Sequence, residues 1–279
     1  MTGRVGGVEY VVVGSGSPVT VFAHGLGGSI AETRPLATDL GGTRVLLHFR
    51  GHGDSAPLAD GWDYDMLADD LRAVADRVGA TRALGLSLGA GALLRLLSTR
   101  PDRFERVAFV LPAALDRSRS DGATARLDRL ADAMRVGNHE QLVALLLAEV
   151  PAELRDSRAA QVLTVRRARQ LAFTEPPYPR PGVRPLDDVR ILRSIGVPAL
   201  VLAQEGDDLH TVTIAQTLSD ALPDAAMHVL PPGGVFWTDR FRARTLLAEH
   251  LTGSSGSVSA PGATSPASAE AAAGSAAIS

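Results

Sequence analysis

Short apolar runs alternate with helical stripes through most of the chain. The runs are Val8–Val13, Pro18–Ala23, Thr43–Phe49, Ala83–Leu86, Arg106–Leu111, Ala199–Ala203 and Met227–Leu230. Several are rich in Val and Leu with little alternation, which predicts strands buried on both faces. Between them, Leu67, Leu71, Val74 and Val78 recur at helical spacing and predict a helix with one apolar face. Leu93, Leu94, Leu96 and Leu97 are too continuous for a surface helix and predict a buried one. This β-α alternation predicts an α/β fold, a mostly parallel sheet with helices on both faces.

The alternation breaks between about Ala113 and Leu192. That stretch reads as helices only, Ala123–Val136, Glu140–Val150 and Arg158–Phe173, followed by a Pro-rich connection from Glu175 to Pro181. A helical insertion between two parallel strands is expected over the C-terminal strand ends, the edge where open α/β sheets bind ligands. It is expected to form a small lid. From about Gly253 to Ser279 the chain is Ser, Ala, Gly and Pro with little large apolar surface. Such a tail cannot offset its ordering entropy and is expected to be disordered, leaving residues 1–252 as the domain.

Composition narrows the function classes. At 279 residues the chain can bury a sizeable core without staples. It holds no cysteine, which excludes disulfides, thiol catalysis and Cys-ligated zinc. Its 28 basic residues are all Arg, so Schiff-base and Ser–Lys chemistry are excluded too. The net charge is −3 with no basic concentration, so a nucleic-acid partner is not expected. No apolar run is long enough to span a membrane, and the N-terminus does not read as a signal peptide. A cytoplasmic protein acting on a small molecule is the expectation. No motif for a metal or organic cofactor is present, and oligomeric state is not readable.

Three motifs carry the chemistry. Gly85-Leu86-Ser87-Leu88-Gly89 joins an apolar strand to a buried helix, so that Ser87 would stand on a sharp turn at the helix N-terminus. His24-Gly25-Leu26-Gly27-Gly28-Ser29 follows a strand, and its glycines would let backbone amides approach a developing oxyanion. Leu26 N–H would pair there with Leu88 N–H, leaving His24 structural. The third is Phe49-Arg50-Gly51-His52-Gly53-Asp54-Ser55, again after a strand.

In their order and context the three motifs resemble the α/β-hydrolase superfamily, from about residue 8 to 252. The resemblance implies that Ser87 is a nucleophile, that the His24–Ser29 segment forms an oxyanion hole, and that the Gly51–Ser55 loop is mainly structural. It places the acid after strand Ala199–Ala203, at Asp207, with Asp208 the alternative. It also places the base a few residues after the last strand, where this chain has Gly234.

No His lies between Val229 and Glu249. His228 is inside the final strand, ~15–20 Å from the expected position at ~3.3 Å per residue. His250 is some 20 Å along the last helix at ~1.5 Å per residue. His139 falls in the lid, His48 in a strand and His52 in the structural loop. His210, three residues beyond Asp207, is the best remaining candidate, although members of the family it resembles often carry a His there that serves no catalytic role. Phe236 and Trp237 follow the vacated position and are expected to line an apolar pocket or simply to pack.

Two classes of function remain open on these residues. One is hydrolysis of a small ester, thioester or lactone by Ser87 with a backbone oxyanion hole. The other is a non-hydrolytic lyase, isomerase or cyclase, or an inactive ligand-binding relative, motivated by the missing His at Gly234.

Overall fold

The computed structural model describes residues 1–58, 62–117, 121–172 and 183–253. The Pro-rich connection and nearly all of the tail fall outside these residues. The strands are β1 (Thr2–Val5), β2 (Val8–Gly14), β3 (Val19–Ala23), β4 (Thr43–His48), β5 (Arg82–Leu86), β6 (Arg106–Val110), β7 (Ala199–Gln204) and β8 (Ala225–Leu230). They form one sheet in the order β1-β2-β4-β3-β5-β6-β7-β8. From β4 to β8 every pairing is parallel, while β2 runs antiparallel to both β1 and β4.

All seven strands expected from the apolar runs are present, with ends shifted by up to two residues. The additional strand, β1, is four residues of mixed polarity and has no apolar signature of its own. Its signal is the Gly6-Gly7 turn, where both residues take positive φ (55° and 85°), the backbone a tight hairpin requires.

The near-continuous apolar runs have a simple cause. Alternate residues of the central strands feed two different cores. Val107 and Phe109 of β6 enter one, and Ala108 and Val110 the other. The same split divides Val201 from Leu200 and Leu202 on β7. The first core is closed by α2 (Tyr64–Val78), α3 (Leu88–Thr99) and α7 (Val212–Ala221). The second is closed by α1 (Ile30–Thr33), the 3₁₀ turn Arg34–Ala37 and α8 (Arg240–Thr252).

Helix α2 follows its sequence signals closely. Asp63 caps it by accepting the Met66 amide at 3.0 Å, and Gly79 ends it in the left-handed conformation, φ 63°. Leu67, Leu71 and Val74 are buried as the periodicity requires, and Val78 packs at the margin. On the same helix Asp70 is buried and pairs with Arg50 at 2.8 Å, tying the loop after β4 to α2. Burial raises the Asp70 pKa, and Arg50 opposes that rise.

Between β6 and β7 lie α4 (Asp121–Arg135), α5 (His139–Leu147) and α6 (Arg158–Ala172). They share a small apolar core of their own, including Met134, Leu142, Leu146 and Leu171. Among the described residues no helix is long and apolar enough to cross a membrane.

Leu71 is fully buried between α2 and the sheet. Leu71→Ala should lower unfolding stability by about 2–5 kcal/mol through lost burial and the cavity left behind. Asp63→Ala should cost about 1 kcal/mol through the lost cap. Denaturant melts measure both, and equal losses would contradict the roles given to these side chains.

Candidate active site

The site begins with one strained residue. Ser87 sits between β5 and α3 at φ 50°, ψ −106°, outside the regions open to an ordinary L-residue. Among the described residues only Leu111, at the end of the adjacent β6, also has positive φ without being glycine. Both line the same cavity, and strain of this kind costs ~1–3 kcal/mol unless the surroundings enforce it.

The glycines of the motif explain how the turn closes. A Cβ on Gly85 would lie 2.4 Å from the Gly89 carbonyl oxygen, and one on Gly89 would lie 2.4 Å from the Ala23 carbonyl oxygen. These contacts are backbone and cannot give way. With them vacant, α3 starts directly against the end of β3. The Gly89 amide then donates to the His24 carbonyl at 3.1 Å, joining the helix start to the glycine loop.

That loop rests on three imidazoles. The Phe49 amide donates to His24 Nε2 at 3.1 Å, the Gly27 amide to His52 Nε2 at 3.1 Å, and the Ile30 amide to His48 Nε2 at 3.0 Å. Each ring therefore carries its proton on Nδ1, which faces the Gly25 carbonyl, the Arg50 carbonyl and Glu9 respectively. The His24 contact is the most consequential. At 2.7 Å it holds the Gly25 carbonyl, and the Gly28 amide donates to the same oxygen at 3.0 Å. A trans peptide points its N–H opposite its C=O, so fixing this oxygen aims the Leu26 amide.

Gly25 lies against Ser87. A Cβ built at residue 25 would be 3.5 Å from Ser87 Cβ. The Leu26 and Leu88 amides, one residue beyond each, donate to no acceptor among the described residues. The Leu88 side chain packs in the first core, whereas Leu26 lines the cavity.

Across from Ser87, the loop after β7 supplies two partners, Asp207 and His210. Asp207 Oδ1 accepts the Leu209 and His210 amides, each at 3.0 Å, and curls the loop. Its Oδ2 accepts His210 Nδ1–H and Gln204 Nε2–H, again each at 3.0 Å. His210 Nε2 then accepts Ser87 Oγ–H at 2.9 Å. Burial alone would raise the Asp207 pKa, but His210 and the Gln204 amide outweigh it and hold the carboxyl well below its usual range. Asp208, the alternative acid, is exposed.

The position where the resemblance expects a base is closed to any side chain. A Cβ on Gly234 would lie 2.5 Å from Leu230 Cβ and 2.8 Å from the Pro231 carbonyl oxygen. Gln204 Oε1 accepts the Val235 amide at 3.3 Å, so one residue braces both Asp207 and this loop. His250 donates to the Val107 carbonyl at 2.9 Å, and neither it nor His139 or His228 lines the cavity.

The cavity holds about 650 Å³. Leu127 and Leu130 of α4, Leu145 of α5 and Leu163 of α6 line it together with Phe236 and Trp237. Sequence reasoning missed Gln204, and also Glu32, which lines the cavity beside the glycine loop. Neither falls inside a recognisable motif. Among the described residues no cluster of His, Asp and Glu could hold a metal ion.

The imidazole supports carry a pH dependence. Burial, then the neighbouring His52, pushes the His24 pKa well below 6.5, and burial pushes His52 down to about 4. Between pH 6.5 and 4 the unfolded chain binds these protons and the folded chain does not. Stability should therefore fall as pH drops through this window, by on the order of 3 kcal/mol from His52 alone near pH 4. Burial raises the pKa of Glu32 and Asp70, which opposes this loss in part. Thermal melts from pH 7 to 4, with NMR titration of the imidazoles, check the expectation. Rings of His24 and His52 that protonate near pH 6.5 in the folded protein would contradict it.

Comparison with known proteins covers most of the chain. A profile of the alpha/beta hydrolase family matches residues 20–246. A Caulobacter sp. (strain K31) protein assigned by name to carbamate hydrolysis, RutD, is 28% identical over 246 residues, covering 84% of this chain and 90% of that protein. The enol-lactonase of Burkholderia xenovorans LB400 superposes with TM-score 0.72 at 20% identity, over 90% of this chain and 100% of that one. An esterase from Exiguobacterium antarcticum gives TM-score 0.66 at 20% identity, over 88% and 95%. With a family profile spanning most of the residues that build the sheet and its site, the chain belongs to the alpha/beta hydrolase family.

Proposed function

We propose that this chain is a serine hydrolase of small-molecule ester, thioester or lactone bonds. The observation that carries the reading is the continuous hydrogen-bonded line from Ser87 Oγ through His210 to Asp207. Relatives named for ester, lactone and carbamate hydrolysis make the bond class reasonable.

In the mechanism, Ser87 Oγ attacks the carbonyl carbon as its proton passes to His210 Nε2. The charge that develops on the carbonyl oxygen is taken by the Leu26 and Leu88 amides and by the N-terminus of α3. Asp207 keeps the imidazole in the tautomer that can accept this proton and stabilises the imidazolium that results. Collapse of the tetrahedral species breaks the bond to the leaving group, which takes the proton from His210. Water then attacks the acyl-Ser87 ester with His210 again as base. The acid is released and Ser87 regains its proton.

The insertion serves as the lid, and its Leu127, Leu130, Leu145 and Leu163 make an apolar wall with Phe236 and Trp237. Such a wall suits an apolar acyl or alkyl group beside the reacting carbonyl. The vacancy at Gly234 is the motive for a non-hydrolytic reading, and His210 at 2.9 Å from the nucleophile removes that motive.

A fluorophosphonate probe should label Ser87 and not Ser87→Ala. His210→Ala should lower kcat on activated esters by about 10³-fold or more while the fold is kept. Wild-type turnover in His210→Ala would overturn the assignment of the base. Gly234→His should not rescue it. The added side chain meets Leu230 and the Pro231 carbonyl, so the double variant should be both inactive and less stable than His210→Ala alone. Recovery of activity in that double variant would show that the base can still be supplied from the loop after β8.

A further inference from the structure

Glu32 lies on α1, just past the glycine loop, and its two oxygens go to different parts of the protein. Oε2 accepts the Gly25 amide at 3.2 Å, while Oε1 stands 3.6 Å from Arg167 Nη2 on α6. Among the described residues five other arginines, Arg72, Arg95, Arg103, Arg190 and Arg244, each grip one aspartate through both Nε and Nη2. Arg167 does not. Its Nη1 donates to Glu149 at 2.8 Å, its Nη2 has only the long pairing with Glu32, and its buried Nε has no acceptor. A grip on that fork by both Glu32 oxygens would take Oε2 away from Gly25. The stronger bidentate pairing is forgone, and the bond to the glycine loop is kept.

The sequence makes room for this choice. A Cβ on Gly28 would lie 2.1 Å from Glu32 Oε2. The Gly25 Cβ position is 3.5 Å from both Glu32 Oε2 and Ser87 Cβ, which bounds the distance between those two atoms at about 7 Å. A bare carboxylate so near a developing oxyanion would oppose it, so its charge has to be compensated. Arg167 is the cation positioned to do this. The other titratable groups around Glu32 are Glu149, just past the end of α5, and His210 on the loop after β7, and burial raises the Glu32 pKa in their company.

We infer that Glu32 is a positioning residue for the oxyanion loop and that Arg167 neutralises it from the helical insertion, so that docking of the insertion and alignment of the Leu26 amide are one event. The inference rests on the Ser87 hydrolase reading. Glu32 touches no reacting atom. It holds the His24–Gly25 peptide from one side while His24 holds the Gly25 carbonyl from the other.

The test is kinetics on an activated p-nitrophenyl ester with Glu32→Ala, Glu32→Gln, Arg167→Met and the double variant Glu32→Gln/Arg167→Met, each with a thermal melt. Glu32→Ala should lower kcat by about 10–100-fold with KM changed less than about 3-fold, because an orienting contact is lost and no substrate contact is. Glu32→Gln should recover most of that rate, since its amide oxygen still accepts Gly25 N–H. Arg167→Met should lower kcat in the presence of Glu32 but much less in the Glu32→Gln background, where no charge needs compensation. The Gln variant keeps the test intact if Glu32→Ala does not fold. Glu32→Gln as impaired as a folded Glu32→Ala, unaltered kcat in Glu32→Ala, or an Arg167→Met effect of equal size in both backgrounds would overturn the inference. Absence of ester turnover in the wild type, or turnover unaffected by Ser87→Ala, would instead overturn the hydrolase reading and the inference with it.

Discussion

Two close backbone approaches set the rest of the site. Gly89 lies so near the Ala23 carbonyl that a single methyl group would not fit, and Gly85 lies equally near the first turn of α3. These two absences let strand β3, strand β5 and helix α3 converge on one corner. The convergence forces Ser87 into its left-handed conformation and brings the end of β3 within hydrogen-bonding distance of the helix start. The two buried cores hold the strained turn closed, because relaxing it would mean lifting a helix with nine buried residues off the sheet. Strain at Ser87 is thus maintained by packing elsewhere in the same layer.

The glycine loop meets a different problem. It must present a bare amide to the cavity, so its other polar groups have to be satisfied from behind. Three histidines do this: His52 Nε2 accepts the Gly27 amide, His48 Nε2 accepts the Ile30 amide, and His24, itself anchored on the Phe49 amide, donates to the Gly25 carbonyl, with the His24 and His52 rings only 4.6 Å apart. Neutral imidazole suits the task because it accepts on one nitrogen and donates on the other. A charged side chain could not be buried there cheaply, and an aliphatic one would leave the amides unpaired. The same arrangement makes these histidines unavailable as bases, since the lone pair each would use is already committed to a backbone N–H.

How much of this could be read from the chain follows the range of each interaction. The strands, the elbow at Ser87 and the glycine loop were legible because glycine spacing and apolar runs are local patterns. Asp207 was reachable through the resemblance, by counting strands. His210 could be reached only by elimination. Its orientation depends on how the two oxygens of Asp207 curl the loop, and three-residue spacing alone does not show that. Glu32 was not legible at all. Its place is set jointly by Gly25 nearby and by Arg167 far along the chain, and no periodicity links the two. Strand β1 escaped because it is short and gains its pairing from a Gly-Gly turn rather than from side-chain pattern.

On the proposed hydrolase reading, acid and base share one loop, and this changes what the loop after β8 must do. A base carried there would need a side chain at residue 234, directed at Ser87 by its own set of contacts. Glycine at that position instead lets the chain fold tightly, with the Gly234 amide bonded to the Pro231 carbonyl at 2.8 Å and the Trp237 amide to the Gly233 carbonyl at 2.8 Å. The turn then presents Phe236 and Trp237 to the cavity. Gln204 makes the two loops interdependent, since it donates to Asp207 with one atom of its amide and accepts from Val235 with the other. On that reading, the imidazole on the loop after β7 and the apolar cavity wall on the loop after β8 are two consequences of one arrangement: the second loop is released from chemistry to shape the cavity, and the short loop after β7 suits proton transfer because Asp207 holds both its backbone and the His210 ring.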